Sequence, residues 1–297
     1  MEIQMSSSVE TQELSRGESL PVSASSLVPE RRPSFRWSDL RRAPLHDLPI
    51  RDEIIYQWLP LSEGMKVMEI GPGSGFTSFR LSRQVKHLTS VDIGAETIED
   101  LRERLLQAPN LKFICADASS ASFSKAVGGE FDVVFGLDFF QFVRDPGLCL
   151  NNLSGSLRPG GRLLLQWPNY PLENTRAVTY LKTRQQLDDL LRAAQFQDWG
   201  IYALKLRPGA MALFRLFHEW PLGIYRRLRR PSTVEKPQNF DQTWAFRNGR
   251  SLESYKIFLH SYWALLLAAM RLGGNCFDRA ELPQGPISCN LMVLASR

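Results

Sequence analysis

Between residues 66 and 168 five short apolar runs recur: KVMEI (66–70), HLTSVDI (87–93), LKFICAD (111–117), FDVVFGL (131–137) and GRLLLQWP (161–168). Stretches suited to helices separate them, near 75–84, 96–106, 119–127 and 146–157. Runs that are apolar along most of their length are buried on both faces, and strands that alternate with helices are joined by crossovers. The pattern therefore predicts a doubly wound α/β fold, a parallel sheet between helical layers. Ligands of such sheets bind beyond the carboxyl ends of the strands. Ahead of the first run, DLPIRDEIIYQWLP aligns Ile50, Ile54, Ile55, Trp58 and Leu59 on one helical face. No internal repeat is visible.

The chain has 297 residues, 43% hydrophobic and 23% charged, enough for one large domain with a substantial insertion. Its formal charge of +5 is a mild excess of 36 basic over 31 acidic residues. Cys115, Cys149, Cys276 and Cys289 are scattered, with no CxxC pair and no histidine at metal-ligand spacing, so no metal site is expected and the thiols read as reduced. Residues 1–33 are rich in Ser, Glu and Pro and poor in aromatics, which predicts a disordered tail. Acids at Glu2, Glu10 and Glu13 and the lack of an apolar run there speak against a secretory signal, and a cytoplasmic protein is expected. The most apolar window, FLHSYWALLLAAM, is interrupted by His260 and Ser261 and is too short to span a bilayer.

The turn after the first run reads EIGPGSG, with Glu69 followed by Gly71, Gly73 and Gly75 at alternate positions. One glycine would satisfy a tight strand-to-helix turn. Three imply that something approaches the backbone closely where a helix begins. Each of the first three runs also ends in a carboxylate: Glu69, Asp92 and Asp117. A lone acid there would read as a helix N-cap. Three on one sheet edge point instead to a ligand: Asp92, seventeen residues past Gly75, suits the hydroxyls of an adenosine ribose, and Asp117 suits an exocyclic adenine amine.

These residues resemble the class I S-adenosylmethionine-dependent methyltransferases, in particular the small-molecule, methyltransferase type 11-like group. The resemblance runs through EIGPGSG (69–75), VDIG (91–94), ADAS (116–119), FDVVFGLDFFQFVRDP (131–146) and LRPGGRLLLQWPN (157–169). It implies a Rossmann-like seven-stranded sheet of order 3-2-1-4-5-7-6, with DWGIYALKL (198–206) as strand six and CNLMVLAS as an antiparallel last strand. The implied division is a cap and first helix at 34–60, a core at 61–206, a helical insertion at 207–287 and a final core strand at 288–297. It also implies S-adenosylmethionine as cofactor, held by Glu69, Gly71, Gly73, Gly75, Asp92, Ile93, Asp117 and Ala118. A dinucleotide enzyme would prefer G-x-G-x-x-G and has no need of Glu69; that acid suits the ammonium of the methionine moiety.

The implied reaction is in-line methyl transfer to a small, largely apolar acceptor, driven mainly by proximity because the methyl donor is already activated. Where many relatives carry a histidine after strand four, this chain has Gln141, which cannot act as a base. Asp138, His218 and His260 are the candidate titrating groups; Phe139 and Gln141 are candidate substrate contacts. His46 and His87 read as turn and strand-edge residues, and FRWSDLRR (35–42) as a cap over the site or as packing outside the sheet. A non-catalytic cofactor-binding partner subunit and a protein substrate stay open as alternatives. Nucleic acid is disfavoured, since GLDF replaces the (N/D)-P-P-(Y/F) expected of base-modifying relatives and no basic stripe with stacking aromatics is present.

An insertion of about eighty residues inside a domain should be helical. GAMALFRLFHEWPLGIYRRLRR and SLESYKIFLHSYWALLLAAMRLGG both suit helices, the second with Ser251 at its start and glycines at its end, and together they read as a substrate lid. Over 207–230 six arginines face one glutamate, which allows peripheral contact with an anionic membrane or an acidic partner.

Overall fold

In the computed structural model, which describes residues 49–105, 108–169, 178–220, 251–272, 274–282, 287 and 289–297, the alternating runs form one twisted sheet. The N-terminal tail, FRWSDLRR, His46 and the arginine cluster RRLRR (226–230) lie outside the described residues.

Strands β1 (Lys66–Ile70), β2 (His87–Asp92), β3 (Leu111–Cys115), β4 (Phe131–Leu137) and β5 (Leu157–Asn169) pair in parallel, in the order 3-2-1-4-5. β8 (Cys289–Ser296) then lies antiparallel between β5 and β6 (Asp198–Leu206). The complete order is β3-β2-β1-β4-β5-β8-β6-β7. One strand exceeds expectation: β7 (Phe277–Glu281), within the stretch read as helical insertion, pairs antiparallel with the outer edge of β6. Only Phe277 of its five residues is buried, so it lacks the apolar alternation by which strands are recognised and is held by ladder hydrogen bonds.

Helices α1 (Asp52–Trp58), α2 (Phe76–Leu81), α3 (Ala95–Arg104), α4 (Phe123–Val127), α5 (Pro146–Ser156), α6 (Arg184–Ala193), α7 (Pro208–Phe214) and α8 (Ser251–Arg271) surround the sheet. α5 starts at an Asp145 N-cap, whose carboxylate accepts from Leu148 N, with Pro146 in the first turn. α6 starts at a reciprocal capping box between Thr183 and Gln186.

Alternate side chains of the strands fill two large cores, and Phe113 of β3 joins a smaller one with Phe76, Phe79, Ile98 and Leu101. On one face Met68, Ile70, Val134, Leu163, Leu165 and Trp167 pack with Phe123, Leu150, Leu153, Leu187 and Leu191 of α4, α5 and α6. On the other, Val67, Val133, Phe135 and Leu164 meet Ile54 and Ile55 of α1, Phe214 of α7, and Trp263, Leu266, Leu267 and Met270 of α8. The last three turns of α8 are thus a layer of the fold. α8 ends before Gly274, whose φ of +111° a side chain would strain. No described helix is long and apolar enough to cross a membrane.

Candidate active site

The segment joining β1 to α2 carries the three glycines in the left-handed region, at φ +72°, +54° and +78° for Gly71, Gly73 and Gly75. Their surroundings differ. A Cβ on Gly71 would stand 2.9 Å from Phe139 Cβ, and one on Gly75 would collide with Leu101 of α3. Among the described residues, no atom beyond Gly73 and its two chain neighbours lies within 4 Å of where a Cβ on Gly73 would be. Gly71 and Gly75 are accounted for by packing and backbone, whereas Gly73 borders open space beside the helix start.

Glu69 is buried, 3% exposed, and its Oε2 accepts from the hydroxyls of Ser78 (2.5 Å) and Ser90 (2.7 Å). Those serines belong to α2 and β2, so the carboxylate braces three elements beneath the glycine turn. A sequence reading misses this pair, although a serine inside the apolar HLTSVD run is the visible signal.

At the next strand end, Asp92 Oδ1 accepts from Gly94 N at 2.8 Å. Burial pushes its carboxyl up, against the lowering effect of hydrogen bonds from the Gly94 and Ile93 amides. Beside it Ile93 is 69% exposed, an apolar side chain standing open next to a carboxylate. Asp117, exposed at the end of the third strand, accepts from the backbone and hydroxyl of Ser119 at 2.8 and 2.7 Å; its neighbour Ala118 is buried. Glu69 and Asp92 lie in the last residues of β1 and β2, and Asp117 two residues past the end of β3, three strands adjacent in the sheet.

Beyond β4 the chain turns sharply at Asp138, a non-glycine residue at φ +55°. Its N–H donates to Gln166 O at 2.7 Å, its carboxylate pairs with Arg51 at 2.7 Å, and its carbonyl accepts from Gln141 Nε2 at 2.8 Å. Phe139 fills the space left by Gly71 and Gly136, so the 138–141 segment abuts the glycine turn directly. Phe140 is fully buried against Trp167, and Phe142 is 52% exposed. Arg51 and Gln166 join this group only through the fold.

His218 and His260 lie on the backbone of the π-helical turn at Arg215–Glu219 and of α8, and their side chains are outside the described residues. His87 is exposed at the start of β2. Among the described residues no group of His, Cys, Asp or Glu is arranged to hold a metal ion.

Residues 68–165 match the family model described as a methyltransferase domain. The chain is 29% identical over 169 residues to the ubiquinone biosynthesis O-methyltransferase of Xylella fastidiosa, covering 52% of this chain and 67% of that protein. It is 33% identical over 186 residues to the trans-aconitate 2-methyltransferase of Rhodopseudomonas palustris, covering 59% and 66%. Among solved structures, phosphoethanolamine N-methyltransferase 2 of Haemonchus contortus with S-adenosyl-L-methionine shares the fold at a TM-score of 0.50 and 14% identity, over 86% of this chain and 53% of that one. The chain thus spans about two thirds of the two curated relatives and about half of the solved one. Residues 68–165 thus form a methyltransferase domain of the class I S-adenosylmethionine-dependent kind, and S-adenosylmethionine is its cofactor.

Proposed function

We propose that the protein methylates a small, largely apolar acceptor bound between the carboxyl ends of β4 and β5 and the glycine turn. The observation that carries this is the sheet edge itself: a left-handed glycine with open space around it, a carboxylate, an exposed isoleucine and a second carboxylate, at the ends of adjacent strands. An adenosine offers groups complementary in kind, namely ribose hydroxyls, a flat apolar face and an exocyclic amine.

In this reading Asp92 accepts from the ribose hydroxyls, Ile93 covers one face of the adenine, and Asp117 and Ala118 border its edge. Gly73 leaves room for the methionine moiety, while Gly71 and Gly75 set the course of the turn that presents it. Glu69 acts through the brace to Ser78 and Ser90, holding the turn and adding negative charge beneath the ammonium. The bound cofactor supplies a methyl group already activated on a sulfonium. The chain's residues then need only orient the acceptor and exclude water, work that proximity can make worth many orders of magnitude. Gln141 and Phe139 line the acceptor side.

We assign 61–206 with 288–297 to the catalytic core and the described start of the insertion, 207–220, to a cover over the acceptor. Leu216, Phe217 and Trp220 support the cover, being 49%, 48% and 62% exposed on one short helical stretch.

Calorimetry with S-adenosylhomocysteine tests the cofactor assignment. Asp92→Ala should weaken binding by about 1–3 kcal/mol, the range for losing a charged hydrogen-bond partner. Unchanged affinity in a folded variant would remove Asp92 from the site.

A further inference from the structure

Two buried amides beside the reaction site are incompletely satisfied. Gln141 is 5% exposed and Gln166 6% exposed, and the side-chain oxygen Oε1 of each accepts no hydrogen bond from the described residues. Their orientations are set by the opposite ends of the same groups. Gln141 Nε2 donates to the Asp138 carbonyl at 2.8 Å, and Gln166 Nε2 faces Asp138 Oδ1 at 3.4 Å. Flipping either amide would bring oxygen against oxygen, so the carbonyl ends are the ones left over.

Asp138 therefore organises both amides, and Arg51 balances its charge at 2.7 Å. Gln166 stands opposite Leu137 in the β4–β5 register, at the carboxyl ends of those strands, and the segment bearing Gln141 packs on Gly71 through Phe139. Buried acceptors without donors are rare in folded proteins, and one explanation is that something arrives to supply the donors. Ordered water can serve these oxygens in the resting protein and be exchanged for a ligand group that reproduces its bonds.

We propose that Gln141 and Gln166 form a recognition pair for the methyl acceptor, and that this acceptor presents two O–H or N–H donors on a largely apolar frame, such as a vicinal diphenol or an aminophenol. The inference rests on the methyltransferase reading above and narrows its substrate class. A carboxylate lacking such donors would set oxygen against oxygen at both amides and be rejected. Neither glutamine moves a proton; both act by holding the acceptor in register with the glycine turn.

The test uses the full chain saturated with S-adenosylhomocysteine, with ligand-observed NMR and calorimetry on catechol, pyrogallol and 2-aminophenol against benzoate and tricarballylate. At least one donor-bearing compound should bind, and the two carboxylates should not. Gln141→Met and Gln166→Met should each weaken that binding by about tenfold or more while retaining affinity for S-adenosylhomocysteine. If either methionine variant fails to fold, Gln141→Asn or Gln166→Asn withdraws the oxygen by one methylene, keeps the amide, and should show the same loss. Carboxylates binding as well as the donor-bearing compounds, no compound binding to the loaded protein, or folded variants that bind like the parent would overturn the proposal. Failure of S-adenosylhomocysteine itself to bind would overturn the reading beneath it as well, so the two failures are distinguishable.

Discussion

The guanidinium of Arg271, in the last turn of α8, closes on the carboxylate of Glu53, which is 3% exposed on α1. The pair fastens the far end of the insertion to the helix that precedes the sheet. The same helix is fastened to α2 by Asp52, which accepts from Thr77 Oγ1 at 2.6 Å and pairs with Arg80 at 3.0 Å. Removing one partner of a buried pair leaves a charge that low-dielectric surroundings solvate poorly. Arg271→Ala should therefore lower stability by about 3 kcal/mol in denaturant titrations. Glu53→Gln with Arg271→Met, which removes both charges, should recover much of the loss. A single variant as stable as the parent would show that the pair contributes only at the surface.

The glycine turn separates packing from ligand space. Gly71→Ala adds a left-handed penalty of about 1–2 kcal/mol and a methyl group 2.9 Å from Phe139, so its stability should fall clearly. Gly73→Ala incurs the same kind of backbone cost but meets no atom of the described residues beyond its chain neighbours. Its loss of melting temperature should be the smaller of the two, while its loss of affinity for S-adenosylhomocysteine should exceed its loss of stability. Equal affinity in Gly73→Ala and parent would mean that the space beside residue 73 is not the cofactor's.

Asp92 carries a stability cost whose sign follows from its raised pKa. At pH below the ordinary carboxyl value of about 3.9 the group is protonated both folded and unfolded, and contributes nothing. As pH rises through that value the unfolded chain releases its proton first, so the native state loses relative stability until its own, higher pKa is passed. Asp92→Asn should then melt higher than the parent near neutrality in the absence of ligand. That advantage should vanish toward pH 4. The substituted amide keeps an oxygen that can accept from Gly94 N, yet it offers the cofactor a weaker acceptor than the carboxylate, so melting temperature and affinity should move in opposite directions. A melting difference independent of pH would show that the carboxylate is not the cause.

The sheet is legible in the sequence where burial on both faces leaves a continuous apolar run: β1 and β4 occupy the residues expected of them, whereas β6, half-exposed, lies where the family resemblance placed it. α6 lies outside the expected helices although Thr183 and Gln186 form a capping signature ahead of Leu187, Leu190 and Leu191. β7 offers no such mark, because an edge strand reading FDRAE depends on the exposed backbone of β6 rather than on its own side chains. The helical character of 251–271 follows from its composition, but periodicity cannot say what a helix covers. That Trp263, Leu266, Leu267 and Met270 lie on the sheet is a tertiary fact. At the site, the carboxylates after adjacent strands are visible as spacing, whereas Gln166 and Arg51 meet Asp138 only through strand register and the position of the first helix.

Asp138 is the acid best placed to be mistaken for a general base. Its carboxylate is paired with Arg51 at 2.7 Å, its backbone is held at φ +55°, and its amide and carbonyl are engaged by Gln166 and Gln141. A group so occupied suits positioning rather than proton transfer. The usual histidine place holds Gln141, and the methyl donor needs no further activation. With an acceptor in hand, Asp138→Asn should raise KM through misplaced glutamines and lower kcat by less than the roughly 10²–10⁴-fold that general-base loss brings. His218→Ala and His260→Ala should leave the pH profile of kcat/KM unchanged. The decisive comparison is that profile in Asp138→Asn: a positioning residue changes its height, whereas loss of an acidic limb would identify Asp138 as the base after all.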